Sequence, residues 1–198
     1  MSKSQIRILA LLAGMAVAAP AAAAWKIVAE GQPFTHKASG YSIQYPAGWR
    51  YIKMPFGDET VATRDGPALQ KIYVDFRKHK KAFRALGKDA TPEMMPQELA
   101  EKIVQEMEAA GSLQNMQVLS NEPTMLAGRP AFRVHISFRT SVDAGSVRYE
   151  GIVVGANSPQ GIFLVGYGGP VLNYFARDVE SYDRTLATFA IAEVNKGR

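Results

Sequence analysis

Between Phe132 and Tyr167 the chain holds three consecutive candidate strands joined by short loops, and this stretch limits the possible folds more than any other. Phe132, Val134, Ile136 and Phe138 alternate with Arg133, His135, Ser137 and Arg139, the pattern of a strand with one apolar and one polar face. Residues 142–146, containing Asp143, Gly145 and Ser146, make a hairpin connection to a second strand over 147–155. Asn157-Ser158-Pro159-Gln160-Gly161 connects that strand to a third over 162–167. Consecutive strands joined by such short loops are antiparallel neighbours. The last two are apolar on both faces at Ile152-Val153-Val154 and Ile162-Phe163-Leu164-Val165, which predicts a sheet centre covered by helices on both sides.

Upstream, residues 25–37 are mixed in character and read as extended. Tyr41-Ser42-Ile43-Gln44-Tyr45 alternates again, with Pro46-Ala47-Gly48 as the following turn, and further strands are expected over 49–54, 60–64, 69–76 and around 117–120. A turn is expected at Gly128-Arg129-Pro130. The period changes over 96–110, where Leu99, Ile103 and Met107 recur every four residues. Pro96 suits the first helical position, Gly111 a left-handed cap, and Glu98, Glu101, Lys102, Glu106 and Glu108 an outer face. A second amphipathic helix follows from the spacing of Phe175, Val179, Tyr182, Leu186 and Phe189. The order strands, helix, strands, helix predicts an α+β domain with a mostly antiparallel sheet.

The 198 residues are 47% hydrophobic and 21% charged, which suits one ordinary globular core rather than disorder. With no cysteine there are no disulfides, thiolate metal sites, cysteine nucleophiles or lipidated N-terminal cysteine. Residues 1–24 have the layout of a secretory signal peptide. Lys3 and Arg7 come first, then an apolar run from Ile8 to Ala19, then Ala22-Ala23-Ala24, with cleavage expected before Trp25. Pro20 and the alanines leave the run short of the roughly 20 residues that a membrane span needs. The expected product is one exported periplasmic domain over 25–198, whose formal charge falls by two from the +5 of the whole chain.

Gly40-Tyr41-Ser42-Ile43-Gln44-Tyr45-Pro46-Ala47-Gly48-Trp49 resembles the opening strand and turn, y-x-i-x-y-P-x-x-W, of the PsbP/Mog1/DcrB-like superfamily. In the same order come a charged mid-chain helix, a G-x-P-A strand start at Gly128-Arg129-Pro130-Ala131, the meander, and a closing helix. That helix ends in Arg184-Thr185-Leu186-Ala187-Thr188-Phe189, similar to the family's i-x-x-S-F with Thr188 where serine is usual. The resemblance covers almost all of the chain after residue 24. It implies an α/β/α sandwich around an antiparallel sheet, with Tyr41, Tyr45, Pro46, Trp49 and Phe189 as packing residues. It also implies an accessory or assembly role at the envelope, through a protein partner, rather than an enzyme.

Several groups bear on chemistry. Arg77, Lys78, His79, Lys80, Lys81 and Arg84 form a basic cluster, readable as a solvated loop or as a dock for an acidic protein or anionic membrane at roughly 1 kcal/mol per charge. Nucleic acid is not expected, since no aromatic platform is interleaved. His36, His79 and His135 form no metal-spacing motif, so neither metal nor cofactor is expected. Arg133, His135 and Arg139, with Glu150 on the next strand, read either as cross-strand pairs or as a small-ligand or hydrolytic pocket. Gly166-Tyr167-Gly168-Gly169-Pro170 reads as a turn into the last helix, with anion binding as the alternative. Asp58, Glu59 and Asp65 read as surface acids, and Met94 and Met95 as core filling or an adaptable contact. No nucleophile elbow or other catalytic motif is present.

Overall fold

The computed structural model describes residues 25–54, 58–142 and 145–192, so residues 1–24, expected to be a signal peptide, and Asp143 lie outside the described residues. Among the described residues, eleven strands and two α-helices form: β1 (Lys26–Ile27), β2 (Phe34–His36), β3 (Tyr41–Ile43), β4 (Arg50–Lys53), β5 (Glu59–Thr63), β6 (Lys71–Arg77), α1 (Pro96–Ala109), β7 (Gln114–Leu126), β8 (Arg129–Val142), β9 (Gly145–Ser158), β10 (Gly161–Pro170), α2 (Ala176–Ala187) and β11 (Ala190–Ile191). The main sheet has the order β1-β4-β5-β6-β10-β9-β8-β7, and a small one the order β11-β3-β2. Every neighbouring pair is antiparallel. The fold is the expected α+β sandwich, with the main sheet in the middle.

Each face of the main sheet carries its own core. Ile72, Val74, Phe76, Val154, Phe163, Val165 and Tyr167 point to one side, where Tyr182 of α2, Phe175 just before it and Phe189 just after it, and Tyr41, Ile43 and Tyr45 from the small-sheet region, cover them. Phe132, Val134, Ile136, Val153, Ile162 and Leu164 point to the other, where Leu99, Ala100 and Ile103 of α1 and Ala82, Phe83 and Ala90 of the preceding loop cover them. Alternation along each strand thus feeds two separate cores.

Four expectations need correction. The strand expected around 117–120 runs over Gln114–Leu126, because β7 is an edge strand exposed along most of its length, which removes the apolar alternation a reader looks for. Register shifts near Asn115 and Leu119, and Pro123 without an N–H, suit such an edge. The β7–β8 turn is Ala127-Gly128, both at positive φ (50° and 72°), so Pro130 sits inside β8 opposite Met125. Glu106 is buried rather than on the outer face, since it stands three residues after Ile103 and seven after Leu99. Finally, Gly166 to Pro170 are not a turn: they pair with β9 as far as Pro170 opposite Tyr149, and the chain bends afterwards, at Asn173 (φ 70°).

Candidate functional site

The glycines of β9 and β10 shape the face beneath α1. Tyr73 on β6 lies across Gly166, where a Cβ would stand 2.2 Å from the ring; Phe132 fills the space above Gly155 in the same way. At Gly151 and Gly168 nothing comes so close, the nearest atoms lying 3.5 and 3.4 Å from a built Cβ. The result is a groove of about 790 Å³, floored by these two glycines, between Tyr73 and the Phe138–Tyr149 pair stacked at 5.6 Å. Met107 and Leu113, around the end of α1, form its upper wall. Tyr149 donates its hydroxyl to the Ala68 carbonyl at 2.8 Å, across β10. Concave, mostly apolar sites of this size class hold ligands or partner segments.

Charge gathers elsewhere along the same lining. Arg77 donates from Nε to Asp75 at 2.6 Å, from Nη1 to the Ala82 carbonyl at 3.1 Å, and forms a short ion pair with Glu106. Glu106 also accepts the Ala85 N–H at 3.3 Å, so one carboxylate joins α1, β6 and the basic loop. Glu59 stands opposite Asp75 in the β5–β6 ladder. Burial, and then the neighbouring Asp75, push its carboxyl above the ordinary range, against the pull of Lys71, Arg77 and Arg84. The groove therefore combines an apolar floor with ionised groups on its lining, Lys71 and Arg84 among them.

The basic cluster divides. Arg77 belongs to β6 and is withdrawn into its two carboxylate pairs, whereas Lys78, Lys80, Lys81 and Arg84 are exposed. His79 is tied to Asn157 at 2.9 Å, and Asn157 donates in turn to the Thr91 carbonyl, which fixes the loop against β9. Lys81 takes a left-handed conformation (φ 57°) and donates its N–H to Asp89 at 2.7 Å.

Beneath α2, Arg133 pairs with Asp183 at 3.0 Å and lies over the Tyr182 ring. His135 meets Glu150 at 3.1 Å and stacks on Phe175 with ring centroids 5.4 Å apart. Arg148 bonds Ser137 at 3.0 Å, and Arg139 reaches the Ser146 carbonyl at 3.4 Å and its hydroxyl at 3.5 Å. The four residues singled out from sequence share this face, three of them in pairs whose partners lie on α2 or β9. Of the remaining acids, Asp65 pairs with Arg177, while Met95 is exposed and Met94 packs partly into the α1-side core. Among the described residues, no three His, Asp or Glu side chains are grouped to hold a metal ion.

The motif residues explain themselves in three dimensions. The hydroxyls of Tyr41 and Tyr45 both meet Thr60 Oγ1, at 2.8 and 2.7 Å, closing one end of the α2-side core. Trp49 is buried beside them, with the Arg64 guanidinium 5.9 Å above its ring. The Thr188 hydroxyl accepts the Gln44 N–H at 2.9 Å and donates to the Thr185 carbonyl at 2.7 Å, so either threonine or serine serves there. Phe189 packs against Tyr41 and Phe163.

Sequence reasoning missed the groove because it took Gly166 and Gly168 for a turn. Their period of two inside a strand was the available signal.

Solved structures share this architecture. CyanoP, the cyanobacterial PsbP of Synechocystis sp. PCC 6803, superposes with a TM-score of 0.52 at 13% identity, over 81% of this chain and 91% of that one. A mutant of protein Mog1 gives 0.54 at 10% identity, over 82% and 96%. A protein of Bacteroides thetaiotaomicron gives 0.53 at 13%, over 85% of this chain and 51% of its own. No curated protein sequence matches. Such identities speak for the fold alone, but the PsbP family profile matches the sequence directly over residues 29–163. The chain belongs to the PsbP family.

Proposed function

We propose that the protein is a non-enzymatic accessory protein of the periplasm, exported by residues 1–24 and working as one domain over 25–198. It holds an apolar segment of an envelope protein in the groove beneath α1. The observation that carries this reading is the groove's floor: Gly151 and Gly168 leave about 790 Å³ open beside Tyr73, Phe138 and Tyr149, where side chains would otherwise complete the core. The accessory roles implied by the family resemblance point the same way. Among the described residues no helix is long and apolar enough to cross a membrane. The exposed Lys78, Lys80 and Lys81 favour an additional contact with anionic membrane, and Gln at all three would remove its salt-sensitive part. The pocket reading of Arg133, His135, Arg139 and Glu150 has less support, since three of those side chains already satisfy one another or α2.

A photo-crosslinking residue at position 107, on the groove wall, tests the proposal in cells. One discrete protein adduct is expected, lost when Gly168→Leu fills the floor and retained when Lys102→Gln alters the opposite side of α1. No adduct, or one indifferent to Gly168→Leu, would reject it. N-terminal sequencing of the periplasmic protein should begin at Trp25.

A further inference from the structure

A second concavity lies at the far end of the main sheet, where β1 and β4 meet β2. It measures about 570 Å³, and Lys26, Lys37 and Lys53 line it together with His36, Phe34 and Tyr51. All three lysines are exposed, none forms an ion pair among the described residues, and no carboxylate belongs to the lining. Asp58 acts on His36 electrostatically from outside it.

His36 makes this more than a cluster of surface lysines. It is 3% exposed and stacked on Tyr41 at 5.2 Å, with the rings 5° from parallel. Its Nδ1 accepts the Ser39 N–H at 3.2 Å, so the proton of the neutral ring is on Nε2. Burial, and then Lys53, hold the ring's pKa below the ordinary histidine value, which keeps it neutral. That Nε2–H has no hydrogen-bond partner, and the buried Ser39 hydroxyl in the same turn has none either. Buried donors are normally satisfied, and an unsatisfied one on a residue that lines the concavity with three unpaired cations describes a place that lacks an acceptor.

We infer that this concavity binds a phosphate monoester or diester group, with the lysines as its counter-charges, the His36 Nε2–H as a neutral donor, and Phe34 and Tyr51 against the organic part. A phosphoryl group supplies several acceptor oxygens and one to two negative charges, which suits cations converging from three segments better than a single carboxylate would. A soluble phosphate ester and a phospholipid headgroup share this chemistry.

Titration of the purified chain with glycerol 3-phosphate, followed by NMR of its ¹⁵N-labelled imidazoles, tests the site. Saturable binding that moves the His36 Nε2 signal is expected, weakened by about tenfold or more in the Lys26→Gln, Lys37→Gln, Lys53→Gln variant. The same charge removed at Lys78, Lys80 and Lys81 should leave the affinity for this probe unchanged. A parallel arm uses phosphatidylglycerol vesicles in a phosphatidylcholine background: binding to vesicles but not to the free ester, with the same dependence on Lys26, Lys37 and Lys53, assigns the site to a headgroup. The lysine variants keep His36 in place, so a folding defect does not obscure the result. Binding of neither probe, an unmoved His36 signal, or equal loss of glycerol 3-phosphate affinity in both lysine variants would overturn the inference.

Discussion

The two faces of the main sheet are built from the same strands in alternation, yet only the one beneath α2 is filled across the central strands. There, helix and small sheet together lay Phe175, Tyr182, Phe189, Tyr41 and Tyr45 over it, and polar side chains among them find partners: Tyr182 donates to the Val165 carbonyl at 3.0 Å, and the fully buried Asp178 meets Arg64, Arg177 and Gln70. Beneath α1 a single helix and a loop cover one part, and glycines remain where side chains would close the rest. The contrast teaches that one sheet can fill its centre on one face and leave a groove open on the other.

The strongest way to break this contrast is to cut each face in turn. Phe163→Ala, at the centre of the filled face against Phe76, Tyr41 and Phe189, should cost about 3–5 kcal/mol in urea unfolding. Equal loss from Phe138→Ala on the groove wall would erase the distinction. Asp178→Ala should cost about 2–3 kcal/mol, below the range for a wholly buried pair because Arg64 and Arg177 are already 45% and 39% exposed and can turn to water. Glu106→Ala on the other face leaves Arg77 its Asp75 partner and should cost about 1–2 kcal/mol.

Two neighbouring glycines sharpen the comparison within the groove. Gly166→Ala forces its Cβ into Tyr73 and should destabilise by about 1–3 kcal/mol. Gly168→Ala has room, relieves an unfavourable strand glycine, and should be neutral or stabilising by about 0.5 kcal/mol in thermal unfolding. The smallest effect concerns pH. Because Glu59's carboxyl titrates higher in the folded chain than unfolded, the folded state holds that proton more tightly, and stability is lost as pH rises from the ordinary carboxylate value through the raised one. Glu59→Gln should therefore raise the Tm at pH 7 and leave it unchanged at pH 4; a shift of the opposite sign at pH 7 would show that Lys71, Arg77 and Arg84 outweigh burial.

The parts that were readable in advance share one property, a regular period maintained by burial. The alternation at Phe132–Phe138, the stripe from Leu99 to Met107, and the spacing from Phe175 to Phe189 each predicted an element that exists within a few residues of its expected ends. β7 escaped because an exposed edge strand needs no apolar alternation, and Glu106 because a carboxylate on a buried stripe is legible only once Arg77 is known to face it. The polar face at Arg133 and His135 was visible as a pattern, but its partners, Asp183 on α2 and Phe175 just before it, come some 40 to 50 residues later.

By itself, then, the sequence determined the antiparallel meander, the two amphipathic helices and the packing motifs at Tyr41, Tyr45, Trp49 and Phe189, because hydrophobic periodicity is local and each period allows few structures. Only the tertiary structure decided where the surface stays open. A glycine in a strand becomes a groove floor or a seat for Tyr73 according to how far a neighbouring strand's side chain reaches. A lysine joins a binding site only when β1, β2 and β4 bring it beside His36, and both are distances between segments that no local pattern encodes.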